Sequence, residues 1–211
     1  MSELIGNPRW ELWWKRATCL VAGLLLLAPL SWAAGDSKGP MTLDDALEWE
    51  RTHPDDPEAL KELGYAYYEI DRMEDALDAF LQVVRLNPDD AEAMVNVGIV
   101  YSDLNRQDEA LDMFRRARRL VPNDPVVLCN EAIVLYGLGK TEEAVRGFLS
   151  ALQIDPENQL AHFQLGVAFA DAGIFKEAIR EWEAVIASDS TTAAAAQARA
   201  NIMMARGMRA G

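Results

Sequence analysis

The chain is 211 residues long, half of them apolar, and carries 20 lysines and arginines against 34 aspartates and glutamates, a formal net charge of −14. So large an apolar share excludes a disordered chain and points to one folded body with appendages. The acidic balance argues against nucleic acid as a partner, because phosphate contacts need clustered positive charge.

Residues 1–34 differ from the rest. Arg9, Lys15 and Arg16 precede the apolar run ATCLVAGLLLLAPLSWAA, which Pro29 interrupts and which contains Ser31-Trp32-Ala33, a small-x-small cleavage pattern. The segment reads as an export signal, with the mature chain starting near Ala34 or Gly35. The alternative is an uncleaved anchor, since residues 17–34 approach the lower limit for crossing a bilayer. Either reading places the body outside the cytoplasm, periplasmic or tethered to the inner membrane and facing the periplasm. Membrane contact is expected only through this segment if it stays uncleaved. Cys19 lies inside it, so Cys129 is left without an intramolecular disulfide partner.

Residues 35–56 are read as a linker and a capping helix over Met41–Thr52, with Leu43, Ala46 and Trp49 on its packed face. Beyond it the chain repeats. An offset of 34 aligns YEIDRMEDALDAF (68–80), SDLNRQDEALDMF (102–114), YGLGKTEEAVRGF (136–148) and ADAGIFKEAIREW (170–182). Each block has alanine at one slot (Ala76, Ala110, Ala144, Ala178) and a large aromatic four residues on (Phe80, Phe114, Phe148, Trp182). GLGKT at 137–141 therefore belongs to a repeat turn. A phosphate-binding loop would need a glycine where Val134 stands.

Four helix pairs are predicted, at 57–90, 91–124, 125–158 and 159–190. Asp56-Pro57 and Asp124-Pro125 start helices, and Pro88, Pro122 and Pro156 follow their ends. Small residues at Gly64/Ala76, Gly98/Ala110, Ala132/Ala144 and Gly166/Ala178 allow close helix approach, with the aromatics expected to fill the space between successive pairs. Residues 191–211 form an alanine-rich capping helix, with Ile202 and Ala205 covering the last open face.

The blocks, with Leu63-Gly64 and Tyr67, Val97-Gly98 and Tyr101, and Leu165-Gly166 and Phe169, resemble the tetratricopeptide repeat. The resemblance covers about Pro57–Ser190 and implies an all-α, right-handed superhelical solenoid of antiparallel helix pairs. The third unit departs from it with Glu131-Ala132 in place of Leu-Gly, and Ser190 replaces the fourth proline. Family architecture also implies a concave groove lined by first-helix positions. Here these are Tyr65, Tyr68, Val95, Ile99, Val126, Cys129, Ile133, Tyr136, Phe163 and Val167, with Lys61, Glu69, Ser102 and Asp171 beside them. The later units read as an apolar stripe suited to an amphipathic helix or an extended hydrophobic peptide. Cover by neighbouring helices or a twofold partner is the competing reading. Lys61 and Asn96 match part of the family's carboxylate clamp, but Tyr65, Val126 and Asn130 do not, and that mode is rejected.

No catalytic constellation is legible. His53 and His162 have no metal-ligand spacing, and no cofactor is expected. His162 is expected to pack. Arg115, Arg116, Arg118 and Arg119 are expected to pair with Asp108, Glu109 and Asp112 on a solvated face. Glu131 stands at a leucine slot and admits two readings, buried and paired, or a polar anchor in the groove. The expected function is a non-enzymatic adaptor in the bacterial envelope that binds a protein or peptide client; a self-associating scaffold, a homo-oligomer, is the alternative.

Overall fold

The computed structural model describes residues 41–209, so the export or anchor segment predicted at 1–34 lies outside the described residues. The described residues form ten α-helices and no strand. A capping helix α1 (Leu43–Thr52) precedes four pairs: α2 (Pro57–Glu69) with α3 (Met73–Leu86), α4 (Ala91–Asp103) with α5 (Gln107–Leu120), α6 (Pro125–Gly137) with α7 (Thr141–Ile154), and α8 (Gln159–Asp171) with α9 (Phe175–Ser188). The last helix is α10 (Ala193–Arg209). It starts 34 residues after Gln159, as the first helix of an incomplete fifth pair. The result is an all-α repeat solenoid in which each helix packs mainly on its chain neighbours. No helix among the described residues is long and apolar enough to cross a membrane.

The two helices of a pair begin differently. First helices have side-chain caps: Asp56 accepts from Glu58 N–H, Asp90 from Ala93 N–H, Asp124 from Val126 and Val127 N–H, and Asn158 from Ala161 N–H, at 2.8–3.2 Å. Second helices lack such caps. They follow a turn whose bend needs one left-handed residue: Asp71 (φ 62°), Asn105 (59°), Gly139 (75°) and Gly173 (74°), spaced 34 apart. Aspartate, asparagine and glycine are the residue types that tolerate this region. Two backbone bonds close each turn; in the third, Gly139 N–H donates to Tyr136 C=O at 2.9 Å and Lys140 N–H to Leu135 C=O at 2.9 Å. This is the geometry behind GLGKT. Gly139→Ala is expected to lower stability by about 1–2 kcal/mol from the left-handed conformation alone, since no neighbour lies near the added methyl. Urea denaturation monitored by circular dichroism measures it.

Ala76, Ala110, Ala144 and Ala178 are fully enclosed, as are the rings of Phe80, Phe148 and Trp182, while Phe114 is 1% exposed. The aromatics are expected between successive pairs; three of them also sit on the glycine of their own pair, and Trp182 shares a cluster with α10 of the next unit. A Cβ on Gly64 would lie 2.6 Å from the Phe80 ring, one on Gly98 2.7 Å from Phe114, and one on Gly166 2.6 Å from Trp182 Cδ1. One hydrophobic cluster runs unbroken from Leu60 to Leu165. A second joins Phe163 and Trp182 to Ala195, Ala198, Ile202 and Ala205 of α10, and a third joins Ala46 of α1 to Leu63 and Ala66.

Candidate functional site: the first-helix face

First helices α4, α6 and α8 touch one another across successive pairs, an approach closer than that of the second helices. They therefore lie on the inner side of the stack. Side chains along this side meet those of the next first helix. Lys61 Nζ reaches Glu92 at 3.4 Å, Tyr65 Oη donates to Glu92 at 3.2 Å, and Asn96 Nδ2 donates to Tyr65 Oη at 2.9 Å. Tyr68 Oη donates to Asp103 at 2.6 Å, and Tyr136 donates to Asp171 in the same relation two pairs later. Both tyrosine–aspartate pairs are 35 residues apart, one repeat plus one position.

The ten predicted groove residues separate into three groups. Val126 is 49% exposed, and Tyr65, Ile133 and Tyr136 are half-buried. Tyr68, Val95, Ile99 and Val167 keep only a few per cent of their surface. Cys129 and Phe163 have none, so neither can touch a client. Their repeat position points at the next first helix instead of into the groove. Cys129 Sγ lies 3.6 Å from Asn158 Oδ1, and Phe163 packs in the cluster with α10. Burial, with Asp155 and Asp124 adding to it, pushes the Cys129 thiol up to about 12, which keeps it an unreactive thiol. The expected apolar stripe thus shrinks to Val126, Ile133 and Tyr136, flanked by the Asp103 and Asp171 carboxylates. Glu92 and Asp103 join this face beyond the residues expected there, and Asn96, a clamp-like position in the sequence, instead donates to Tyr65; the 35-residue tyrosine–aspartate spacing is the sequence signal for Asp103.

Desolvation raises the tyrosine hydroxyls of Tyr65, Tyr68 and Tyr136 above their ordinary range, so they remain hydrogen-bond donors. Asp103 is also raised, by burial first and by Asp71, against the opposing bond from Tyr68. A carboxyl raised in the folded state binds protons more tightly there than in the unfolded chain, so its contribution falls as pH climbs from 3.8 through the folded value. Asp103→Asn keeps an acceptor for Tyr68 and removes the charge. The variant is expected to gain stability over the wild type progressively across that window and to run parallel to it at higher pH. Urea melts at stepped pH test this, with exposed Asp108→Asn as the control for net charge.

His162, expected to pack, is largely covered and is also held by hydrogen bonds, Nδ1 to Glu181 at 2.7 Å and Nε2 to the Pro156 carbonyl at 3.0 Å. The arginine run also departs from its expected pairing. Glu109 pairs with Arg106, whereas Arg115 and Arg118 reach Glu131 of the following pair at 3.6 and 3.1 Å. Glu131 is buried and paired away from the groove, the first of its two readings.

Family models described as tetratricopeptide repeat match residues 43–90 and 62–125, and one described as TPR repeat matches 133–173. The chain belongs to the tetratricopeptide-repeat family. The break between the matched segments holds Glu131-Ala132, the departure seen in the third repeat. No curated protein sequence matches the chain. Among solved structures it is similar to TTC0263, a thermophilic TPR protein of Thermus thermophilus, at 18% identity and TM-score 0.69, covering 91% of this chain and 98% of that one. MamA 41-end from Desulfovibrio magneticus RS-1 aligns at 22% and 0.61 over 72% and 85% of the two chains. YrrB, described as a TPR protein with an unusual peptide-binding site, aligns at 21% and 0.58 over 80% and 85%. At these identities the likeness concerns the fold.

Proposed function

We propose that this tetratricopeptide-repeat protein is an exported, non-enzymatic adaptor whose inner first-helix face holds a peptide or helix of a client protein in the bacterial envelope. The observation that carries the reading is Val126, 49% exposed on α6. Its repeat position is the one where Glu92 meets Tyr65, so an uncovered valine stands on the inner row beside half-buried Ile133 and Tyr136. A client segment with one or two apolar side chains and a flanking lysine or arginine complements that patch and the carboxylates at Asp103 and Asp171. The peptide-binding site described for YrrB adds a precedent on this fold. Export rests on the residue pattern of 1–34.

The test places a photo-cross-linking amino acid at Val126 of the full chain in its native host. A discrete protein adduct is expected, and Ile133→Asp is expected to abolish it while leaving the helical circular dichroism intact. No adduct, or one indifferent to Ile133→Asp, refutes groove binding. Phe163→Asp is unsuitable, because charge at an enclosed position unfolds the unit. Sequencing the N-terminus from fractionated cells tests export: a start at Ala34 or Gly35 in the periplasm is expected, and a cytosolic chain retaining residues 1–33 refutes it.

The second reading, a self-assembling scaffold, draws on Met203, 76% exposed on the outermost helix α10. Light scattering over a wide concentration range separates the two. Constant monomer mass favours the adaptor, and mass rising with concentration favours assembly.

A further inference from the structure

Three repeat positions meet at each junction between pairs on the outer side of the stack. At the first junction they are Leu81, Val84 and Val97, and at the third Leu149, Leu152 and Leu165, all apolar. At the middle junction the same positions are Arg115, Arg118 and Glu131. Both flanking junctions carry hydrocarbon at these positions, with Leu152 and Leu165 or Val84 and Val97 in the core and Leu149 47% exposed, so the fold does not require charge there. Buried ion pairs are weakly stabilising at best and are often replaced by apolar groups without loss. The three charges line a cavity of about 230 Å³, together with Glu143, Arg146, Gly147 and Ser150 of α7.

The cavity is built around Glu131, which is only 4% exposed. Arg115 and Arg118 hold it by charge, but its Oε2 receives no hydrogen bond. Each guanidinium carries five donors, and these two spend few of them on one carboxylate. Arg146 adds a third guanidinium, with only a 3.9 Å contact to Glu142. The pocket therefore sets three guanidinium groups against two carboxylates, Glu131 and Glu143, and holds one buried oxygen, Glu131 Oε2, that is ion-paired to Arg118 at 3.1 Å without an aligned hydrogen bond. A bare cation is repelled by the arginines, and a bare oxyanion brings nothing to Oε2. An oxyanion with an N–H beside it satisfies both, and an aspartate or glutamate residue with its own backbone N–H has that form. We infer that the outer junction between the second and third pairs is a binding pocket for a carboxylate of an acidic polypeptide segment. Arg115, Arg118 and Arg146 take the carboxylate, and Glu131 positions two of them while accepting the peptide N–H. In a chain of net charge −14 this basic recess is the surface that such a segment approaches. It is separate from the inner face, so neither reading stands or falls with the other.

Nuclear magnetic resonance of the labelled full chain tests it, with acetyl-Ala-Glu-Ala-amide as probe, its glutamine counterpart as control, and inorganic phosphate as a second arm. Saturable shifts are expected at the amides of Glu131, Gly147 and Ser150 with the glutamate peptide, about tenfold or more weaker with the glutamine peptide. The variant Arg115→Leu/Arg118→Leu/Glu131→Leu, carrying the residues of the third junction, is expected to melt no lower than the wild type and to show no shifts. Exposed Arg146→Gln is expected to keep wild-type melting and to bind several-fold more weakly, a result that decides the matter even if the triple variant misfolds. Absence of saturable shifts, equal binding of the glutamine peptide, phosphate binding as tightly at the same amides, shifts surviving in the triple variant, or undiminished binding by Arg146→Gln would overturn the assignment.

Discussion

Trp182→Ala is expected to destabilise the fourth pair by about 3–5 kcal/mol, the range for removing a large enclosed aromatic. The indole is fully enclosed, its Cδ1 faces the Gly166 backbone, and its Nε1 donates to the Phe163 carbonyl at 3.2 Å. The cavity left behind opens where α8, α9 and α10 meet. Because a solenoid's stability is a sum of local units and their interfaces, the loss is local. Hydrogen exchange should show α8, α9 and α10 opening together while α2 to α5 keep wild-type protection. Trp182→Phe keeps most of the ring volume and loses the hydrogen bond, and about 1 kcal/mol of its destabilisation is expected from that bond. Uniform loss of protection along the chain would contradict the local picture.

The hairpins were legible because each rests on residue types with few physical substitutes. Alanine at position 76 and its three counterparts, an aromatic four residues on, and aspartate, asparagine or glycine at the left-handed turn position all recur every 34 residues. Capping by Asp56 and Asp124 was equally readable, since a short acceptor before proline has one obvious use. The groove was less legible for a geometric reason. Position 61 and its counterparts 95, 129 and 163 point toward the next first helix, so cover depends on what that helix brings. Lys61 stays half-buried because its ammonium reaches Glu92, whereas Phe163 is sealed by α10. Repeat position alone carries no such information. The arginine run has acids of its own helix nearby in sequence, Asp108, Glu109 and Asp112, but the acid that Arg115 and Arg118 reach is Glu131 of α6, a contact set by packing between pairs and not by spacing within α5.

Gly147→Ala is expected to cost about 1–3 kcal/mol, the range for overpacking a tight contact. A Cβ there would lie 2.8 Å from the Ala132 Cβ, with the Leu128 carbonyl at 3.5 Å behind it, so the added methyl meets a short side chain that cannot swing away. The reason lies in the third unit's exchange of slots. Pairs one, two and four leave the space on the first helix, at Gly64, Gly98 and Gly166; the third has Ala132 there and places its own close-approach glycine on the second helix. Ala132→Gly alone removes a methyl from a buried contact and adds backbone freedom in mid-helix, worth about 1 kcal/mol. The double variant Ala132→Gly/Gly147→Ala relocates the methyl to the other helix, and its helix-propensity changes cancel. It is expected to be more stable than the sum of the two single changes by about 1–2 kcal/mol, a coupling read from a double-mutant cycle in urea. Strict additivity would mean that Ala132 and Gly147 do not share one contact, and the close packing of α6 on α7 would need another cause.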